Sequence, residues 1–178
     1  MDSCLVGSEM CIRDRLLSEY KSKYHASLIS TKKSLSIVDH WKKRGLNFTT
    51  SVSINNLSLN ENDIGEFRTF LKLSPPLRSE EDRLALIEGL NNSLIDIIVS
   101  DHKPEDEESK RLTFQQAASG ASGIETLLSL ALELYHNKSC SLITIIRSMT
   151  SNPAKLFGIN AGTLEKNYPA DIAILDID

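Results

Sequence analysis

The sequence predicts an α/β fold with a parallel sheet, and two observations indicate this class. Strand-like and helix-like segments alternate from residue 20 onward, which is typical of sheets built from β/α units. Segment 94–100, LIDIIVS, is almost continuously apolar, as strands covered on both faces are. About four such units are visible, whereas a closed eight-fold barrel takes roughly 250 residues. Half a barrel and a small doubly wound domain are therefore both compatible with the periodicity.

Three further segments have strand character. YHASLIS (24–30) is a short candidate, and LNFTTSVSI (46–54) alternates cleanly in side-chain type. FRTFLKLS (67–74) is a weaker candidate that ends at a pair of prolines. The tail after residue 161 changes character and combines a turn with a β-rich run.

Helical spacing marks the segments between and after these strands. A helix is predicted over 31–45, with Gly45 as its stop, and another begins after Ser79, with Asp82 three residues on. The apolar stripes expected to be buried are Leu35, Val38 and Trp41 in the first helix, and Leu84, Ile87 and Leu90 in the second. Ser122 and Glu125 form a capping-box pattern ahead of the helical segment 126–138. Two more helices are predicted, over 141–149 and from Asn152-Pro153 to Gly158.

Composition limits the class of protein. The 178 residues are 40% hydrophobic and 25% charged, which suits a globular domain with a core. The net charge is −4 and there is no basic run, so nucleic-acid binding receives no support. No apolar stretch approaches the roughly 18 residues of a membrane span. Three cysteines form no disulfide framework, which indicates a reducing cytoplasm.

Residues 1–15, MDSCLVGSEMCIRDR, differ from the rest of the chain. They hold two of the three cysteines and two of the three methionines, and they show no periodicity. VGSEMCIRDR resembles a translated sequencing-adapter read-through. We therefore expect 1–15 to be a non-native or disordered segment, and an ordinary frayed N-terminus is the alternative.

Asp101 and His102 follow the most strand-like segment of the chain. In parallel α/β folds, functional sites gather at the C-terminal ends of strands. A carboxylate there can bind a divalent metal or accept a proton, but an aspartate at a strand end can also simply cap the next turn. A catalytic zinc site usually has three protein ligands, so this pair alone does not decide. Of the other histidines, His25 is expected to be packed or hydrogen-bonded within a strand.

Four motifs occur in an order that resembles the dihydroorotase family of amidohydrolases. They are SPPLRSEEDR (74–83), IDIIVSDHKP (95–104), GASGIET (120–126) and NPAKLFGINAGTLEKNYPADIAILD (152–176). The resemblance covers residues 20–178 and implies a partial metal-dependent hydrolase TIM-type β/α barrel. It places 16–158 in the C-terminal half of that barrel and 159–178 at the start of a small β domain. The first half, with its His-x-His pair and metal-bridging lysine, is not in this chain.

The resemblance also implies an activity and a set of site residues. The family interconverts carbamoyl-aspartate and dihydroorotate in pyrimidine synthesis, in the cytoplasm and with zinc. Asp101 matches the aspartate that binds metal and carries the proton. The positions that match the surroundings of the substrate are Ser74, Arg78, Glu105, Ser119 and Gly120.

Several of these positions depart from the family pattern. Leu28 occupies a metal-histidine position, and Asn55 and Asn56 stand where the family has a histidine pair. Ser74 replaces a substrate-holding asparagine, and Glu105 replaces a substrate histidine. Leucine is no zinc ligand and an amide oxygen is a poor one. We therefore expect this fragment not to bind zinc and not to turn over substrate alone.

Two other functions stay open beside the hydrolase. One is a non-catalytic dihydroorotase-like subunit that acts as a scaffold for aspartate transcarbamoylase. The other is an amidohydrolase that has drifted to another substrate with a different metal site. Half a parallel barrel has two open sheet edges, so we also expect a homo-oligomer or aggregation.

Overall fold

The computed structural model describes Glu19 and residues 23–177. Three strands form one parallel sheet in the order β1–β2–β3: Tyr24–Ala26 (β1), Phe48–Ser53 (β2) and Ile97–Val99 (β3). Tyr24 pairs with Phe48, and Ser51 pairs with Ile97. The α/β class with a parallel sheet is thus confirmed. Residues 1–15, which are expected to be non-native or disordered, lie outside the described residues.

Seven α-helices and two 3-10 turns surround the sheet in the described part of the chain. The α-helices are Lys32–Lys43 (α1), Ile54–Ser58 (α2), Glu80–Asn91 (α3), Glu107–Lys110 (α4), Leu127–His136 (α5), Leu142–Met149 (α6) and Ser151–Phe157 (α7). The 3-10 turns are Glu61–Ile64 and Thr69–Leu71. None of the helices within 23–177 is long and apolar enough to cross a membrane.

Local chemistry accounts for the helix ends that the sequence predicts. The Thr31 hydroxyl accepts the amide N–H of Ser34, and the Ser79 hydroxyl accepts that of Asp82, so α1 and α3 begin where a cap is available. Gly45, with φ 70°, follows α1, and Gly158, with φ 67°, ends α7 in the left-handed conformation.

The core lies between one face of the sheet and the helices. Val52, Ile54 and Leu57 are completely buried there, as are Ala131 in α5 and Ile145 in α6. Trp41 contacts Phe48 edge to face, with ring centroids 4.7 Å apart, and so fastens α1 to β2. Since side chains alternate along a strand, Thr49, Ser51 and Ser53 point to the opposite face, which would be the interior of a barrel.

Four predictions about local structure are wrong. Segment 67–74 contains a 3-10 turn and no strand, because Phe67 and Phe70 are 71% and 64% exposed and none of the three described strands pairs with the segment. Leu84 is 52% exposed, and Leu86 takes its place in the buried stripe of α3. The start of α5 and the conformation of the tail also differ from the prediction.

The helix α5 begins at Leu127, after Thr126, and no side chain caps it, so Ser122 and Glu125 form no capping box. The tail after residue 161 contains no strand within the described residues. A strand requires a hydrogen-bonded partner, and none of the three strands pairs with this segment.

Candidate functional site

The site predicted from the sequence lies at one edge of the sheet. In a parallel sheet, all C-terminal strand ends meet at the same edge. Leu28 follows β1, Asn55 and Asn56 follow β2 within α2, and Asp101 follows β3. The parallel topology therefore places all four predicted metal-site positions at this edge, which we call the carboxyl edge.

Asp101 is held in an unusual backbone conformation at the end of β3. Its φ is 49°, in the left-handed region that few residues other than glycine, asparagine and aspartate adopt. Its carboxylate is half-buried and accepts no hydrogen bond from any residue within the described ranges. Burial raises the pKa of the Asp101 carboxyl, and the nearby positive charge of Lys103 opposes that rise. An aspartate that caps a turn would accept backbone N–H groups, so the geometry favours a carboxyl free to hold a proton.

The other three positions offer little to a metal. The backbone of Leu28 has φ 56°, its N–H donates to the hydroxyl of Ser51 at 3.3 Å, and its side chain has no donor atom for a metal. The amide nitrogen Nδ2 of Asn55 and the amide oxygen Oδ1 of Asn56 are buried and have no hydrogen-bond partner among the residues that the structure describes. Nδ2 of Asn56 donates to the carbonyl of Pro76 at 3.2 Å.

This donor set does not fit zinc. Zinc sites in proteins use imidazole, thiolate or carboxylate, usually from at least three residues. Among residues 19 and 23–177, no group of three or more His, Cys, Asp or Glu side chains is arranged to hold a metal ion. Apart from Asp101, the predicted metal-site positions at the carboxyl edge are a leucine and two amides. We therefore assign no metal step to these residues.

One predicted substrate loop, residues 74–78, adjoins β2. Ser74 and Arg78 are exposed, and the guanidinium of Arg78 donates no hydrogen bond to a residue that the structure describes. The carbonyl of Arg78 accepts the N–H of Glu61 at 2.8 Å. The loop is joined to the carboxyl edge by the hydrogen bond from Asn56 to Pro76. Arg78 thus presents a cation that is available to an anionic ligand.

The second predicted loop, around Ser119 and Gly120, adjoins Asp101. The N–H of Lys103 donates to the carbonyl of Ala121 at 2.9 Å, and the N–H of Gly120 donates to the carbonyl of Lys72 at 2.9 Å. Gly120 has φ 150°, and a Cβ at this position would lie 2.4 Å from the Lys103 carbonyl oxygen, so only glycine fits. Glu105 is partly buried and forms a 3.9 Å ion pair with Lys103.

The predicted site residues therefore form two groups at the carboxyl edge. Asp101 lies with Glu105, Ser119 and Gly120, while Asn56 lies with the 74–78 loop. Within the described ranges, no hydrogen bond joins a member of one group to a member of the other. The side chain of Leu28 has no polar atom, so it forms no hydrogen bond with either group.

Lys110 is a residue that the sequence analysis missed. Its side chain is only 3% exposed, and its Nζ donates to the carbonyls of Ala118 at 2.9 Å and Thr69 at 3.3 Å. Burial lowers the pKa of the Lys110 ammonium, and Glu105 opposes that shift. It sits in the acidic stretch EDEESK, whose composition indicates a solvated loop. Only its tertiary contacts reveal that it fastens the 113–121 loop to the segment around Thr69.

His25 behaves as predicted, as a hydrogen-bonded strand residue. Its Nδ1 lies 2.9 Å from the Thr49 hydroxyl, and its Nε2 lies 3.2 Å from the Ser51 hydroxyl. Burial lowers the pKa of the His25 imidazole, and the charge of Asp96 opposes that shift. The imidazole faces the inner side of the sheet and lies three residues before Leu28.

Comparisons with known proteins agree with this architecture. The family model described as the amidohydrolase family matches residues 17–178. A dihydroorotase of Ehrlichia canis is 41% identical over 177 residues, which is 99% of this chain and 39% of that protein. A dihydroorotase of Aquifex aeolicus is 39% identical over 165 residues, again 39% of its length. The chain therefore spans about two fifths of the length of these relatives.

Solved structures give the same result for the fold. L-hydantoinase (dihydropyrimidinase) from Arthrobacter aurescens superposes with a TM-score of 0.83 and 28% identity, over 90% of this chain and 37% of that one. An inactive dihydroorotase-like domain of a Chaetomium thermophilum CAD-like multifunctional protein shares the fold, with a TM-score of 0.60 and 22% identity over 82% of this chain and 40% of that one. The TIM-type barrel architecture predicted from the sequence is thus supported. The chain belongs to the amidohydrolase family, and its sequence is dihydroorotase-like.

Proposed function

We propose that residues 16–158 form the C-terminal half of the barrel of a dihydroorotase-like hydrolase, in which Asp101 carries the proton. Residues 159–178 would begin its small β domain. The observation that carries this proposal is the Asp101 carboxylate, which is half-buried, unpaired within the described residues and located at the carboxyl edge. Its raised pKa brings proton uptake closer to the working pH of a general acid or base.

The reaction would be the reversible opening of a cyclic amide, dihydroorotate, to carbamoyl-aspartate. In the hydrolytic direction, water adds to the ring carbonyl, the ring C–N bond breaks, and the leaving nitrogen takes up a proton. Asp101 would accept the proton of the attacking water and deliver it to that nitrogen. Both small molecules carry carboxylates, and the exposed guanidinium of Arg78 is the cation in the 74–78 loop that would bind one of them. Ser74, Glu105, Ser119 and Gly120 would complete the surroundings of the substrate.

Zinc enters this proposal only through the family. Amidohydrolases and dihydroorotases are generally metal-dependent, but Leu28, Asn55 and Asn56 do not fit a zinc ion. Asp101 would be the single metal ligand from this chain. We therefore propose that the chain alone neither holds zinc nor completes the reaction.

A second function is favoured by the same three residues. A leucine and two amides at the metal positions suit a barrel that is kept for its surface. Such a protein would be a non-catalytic dihydroorotase-like subunit, acting in the cytoplasm as a scaffold for aspartate transcarbamoylase. It would keep the sheet and the loops and would not depend on Asp101.

The two functions can be separated in the full-length protein that carries this segment. Dihydroorotate hydrolysis would be measured with and without added zinc in the wild-type protein, in Asp101→Asn and in Glu108→Gln, an exposed carboxylate nearby that serves as the matched control. The hydrolase proposal predicts that Asp101→Asn loses about 100-fold or more of the rate and that Glu108→Gln loses none. No hydrolysis by the wild-type protein, combined with stable binding to aspartate transcarbamoylase, would favour the scaffold.

A further inference from the structure

We infer that His102 is a positioning residue, whose imidazole fixes the loop from Ser119 to Ile124 beside Asp101. The inference rests on the proposed function for the importance of this loop to the substrate. Nothing in the family resemblance above assigns a role to this histidine. The evidence for the inference is that one ring nitrogen of His102 accepts hydrogen bonds from two backbone N–H groups.

Nδ1 of His102 lies 3.2 Å from the backbone nitrogen of Gly123 and 3.3 Å from that of Ile124. A backbone N–H can only donate, so Nδ1 accepts both hydrogen bonds through its lone pair. The imidazole is therefore neutral, with its proton on Nε2. This tautomer follows from the two donors and not from the position of any hydrogen.

Within the described residues, the two N–H groups donate to no other acceptor. They precede helix α5, whose first turn has no side-chain cap, because Thr126 supplies none. His102 thus satisfies two backbone donors of the turn that leads into α5, and it does so from a neighbouring segment. An exposed histidine at a strand end would otherwise have no reason to adopt one orientation.

The loop lies unusually close to the segment that carries Asp101. A Cβ on Gly123 would lie 2.3 Å from the carbonyl oxygen of Ser100, and a Cβ on Gly120 would lie 2.4 Å from that of Lys103. Between these two glycines, Ala121 forms a parallel bridge with His102. The glycines allow the two segments to approach closely, and the hydrogen bonds to the His102 imidazole fix the position of the loop relative to the segment that carries Asp101. Ser119 and Gly120 thereby acquire a fixed position relative to Asp101.

Two substitutions separate the acceptor from the other properties of the ring. In His102→Asn, the amide oxygen takes the place of Nδ1, because both atoms are two bonds from Cβ. In His102→Gln, the oxygen lies one bond farther out, near the position of Nε2. Both variants remove the ring, so the main difference between them is the position of the acceptor.

The test uses the full-length protein that carries this segment, because the isolated chain is expected to dimerise or aggregate. Nitrogen-15 NMR at neutral pH should show a His102 ring with a bare Nδ1 and a protonated Nε2. Hydrogen–deuterium exchange in the peptide that contains Gly123 and Ile124 should be slow in the wild-type protein and in His102→Asn. In His102→Gln, exchange there should be about tenfold faster, because an acceptor has been lost. A proton on Nδ1, or equal exchange in both variants, would overturn the inference.

The same protein then tests the consequence for the substrate. If the loop binds substrate, His102→Gln should raise the KM for dihydroorotate about tenfold and change kcat little, and His102→Asn should restore the KM. A fall in kcat without a change in KM would contradict the positioning role. If the wild-type protein shows no hydrolysis, the proposed function fails, while the NMR and exchange results still decide the role of His102.

Discussion

Replacing Asp101 by asparagine separates the chemical role of this residue from a structural one. Asparagine is nearly isosteric and tolerates the left-handed backbone that Asp101 adopts, with φ 49°. Because the carboxylate accepts no hydrogen bond from a described residue, the substitution breaks no bond and removes only the charge. Asp101→Ala removes the same charge, but alanine pays about 1–2 kcal/mol for a left-handed backbone.

The sign of the stability effect follows from the raised pKa of Asp101. A carboxyl whose folded-state pKa lies above its unfolded value of about 3.9 favours folding below that pH, and this contribution is lost as the pH rises through the folded-state pKa. At neutral pH the wild-type chain thus carries an ionised, half-buried carboxylate that folding disfavours. Asp101→Asn should therefore be at least as stable as the wild-type chain at neutral pH, and any gain should shrink in acid. Asp101→Ala should be about 1 kcal/mol or more less stable than Asp101→Asn.

Trp41 provides the assay, because it is the only tryptophan and is 6% exposed in the core. Urea unfolding followed by its fluorescence gives the free energy of unfolding of each variant. A loss of more than about 1 kcal/mol in Asp101→Asn would show that the carboxylate makes a structural hydrogen bond. That result would return Asp101 to a turn-capping role and would remove the basis of the proton-transfer proposal.

Three further predictions concern the rest of the chain. Because burial lowers the pKa of His25, its contribution to the free energy of unfolding should be fully present above about pH 6.5 and should be lost as the pH falls through the folded-state pKa. A urea midpoint that is independent of pH in this window, or that keeps the same pH dependence in His25→Gln, would contradict this. Lys110→Met should lower the free energy of unfolding by about 1–3 kcal/mol, since the carbonyl partners of Lys110 lose a buried donor. The exposed control Lys33→Met should change it by no more than about 0.5 kcal/mol, and equal urea midpoints for the two variants would refute the role of Lys110. The isolated chain should dimerise or aggregate, because β1 and β3 are the edges of the sheet in the described part of the chain, and a monodisperse monomer with cooperative melting, measured by sedimentation and calorimetry, would rule this out.

The sequence was most informative where structure depends on local chemistry. Thr31 and Ser79 cap helices through bonds to residues three positions on, and Gly45 and Gly158 mark helix ends by their positive φ. The apolar run 94–100 predicted a buried strand, although only Ile97–Val99 is paired. Segment 67–74 was misjudged because a few apolar residues give a strand-like pattern whether or not a partner strand is present.

The site was predictable only in part, because the sequence does not show which distant segments come into contact. The position of Asp101 followed from the rule that sites gather at strand ends. The burial of Lys110 and the two N–H groups on Nδ1 of His102 depend on residues 8 to 41 positions away in the sequence, which the fold brings together. No periodicity in the sequence encodes such contacts. The substitution of ligands by Leu28, Asn55 and Asn56 was visible at once, because residue chemistry requires no structure to assess.

The most direct test of the central claim is dihydroorotate hydrolysis by the full-length protein, measured together with its bound metal and repeated in Asp101→Asn. The hydrolase proposal predicts turnover that falls about 100-fold or more in the variant, with no loss of folding stability. Absence of turnover in the wild-type protein with and without zinc, or turnover that Asp101→Asn leaves unchanged, would contradict it.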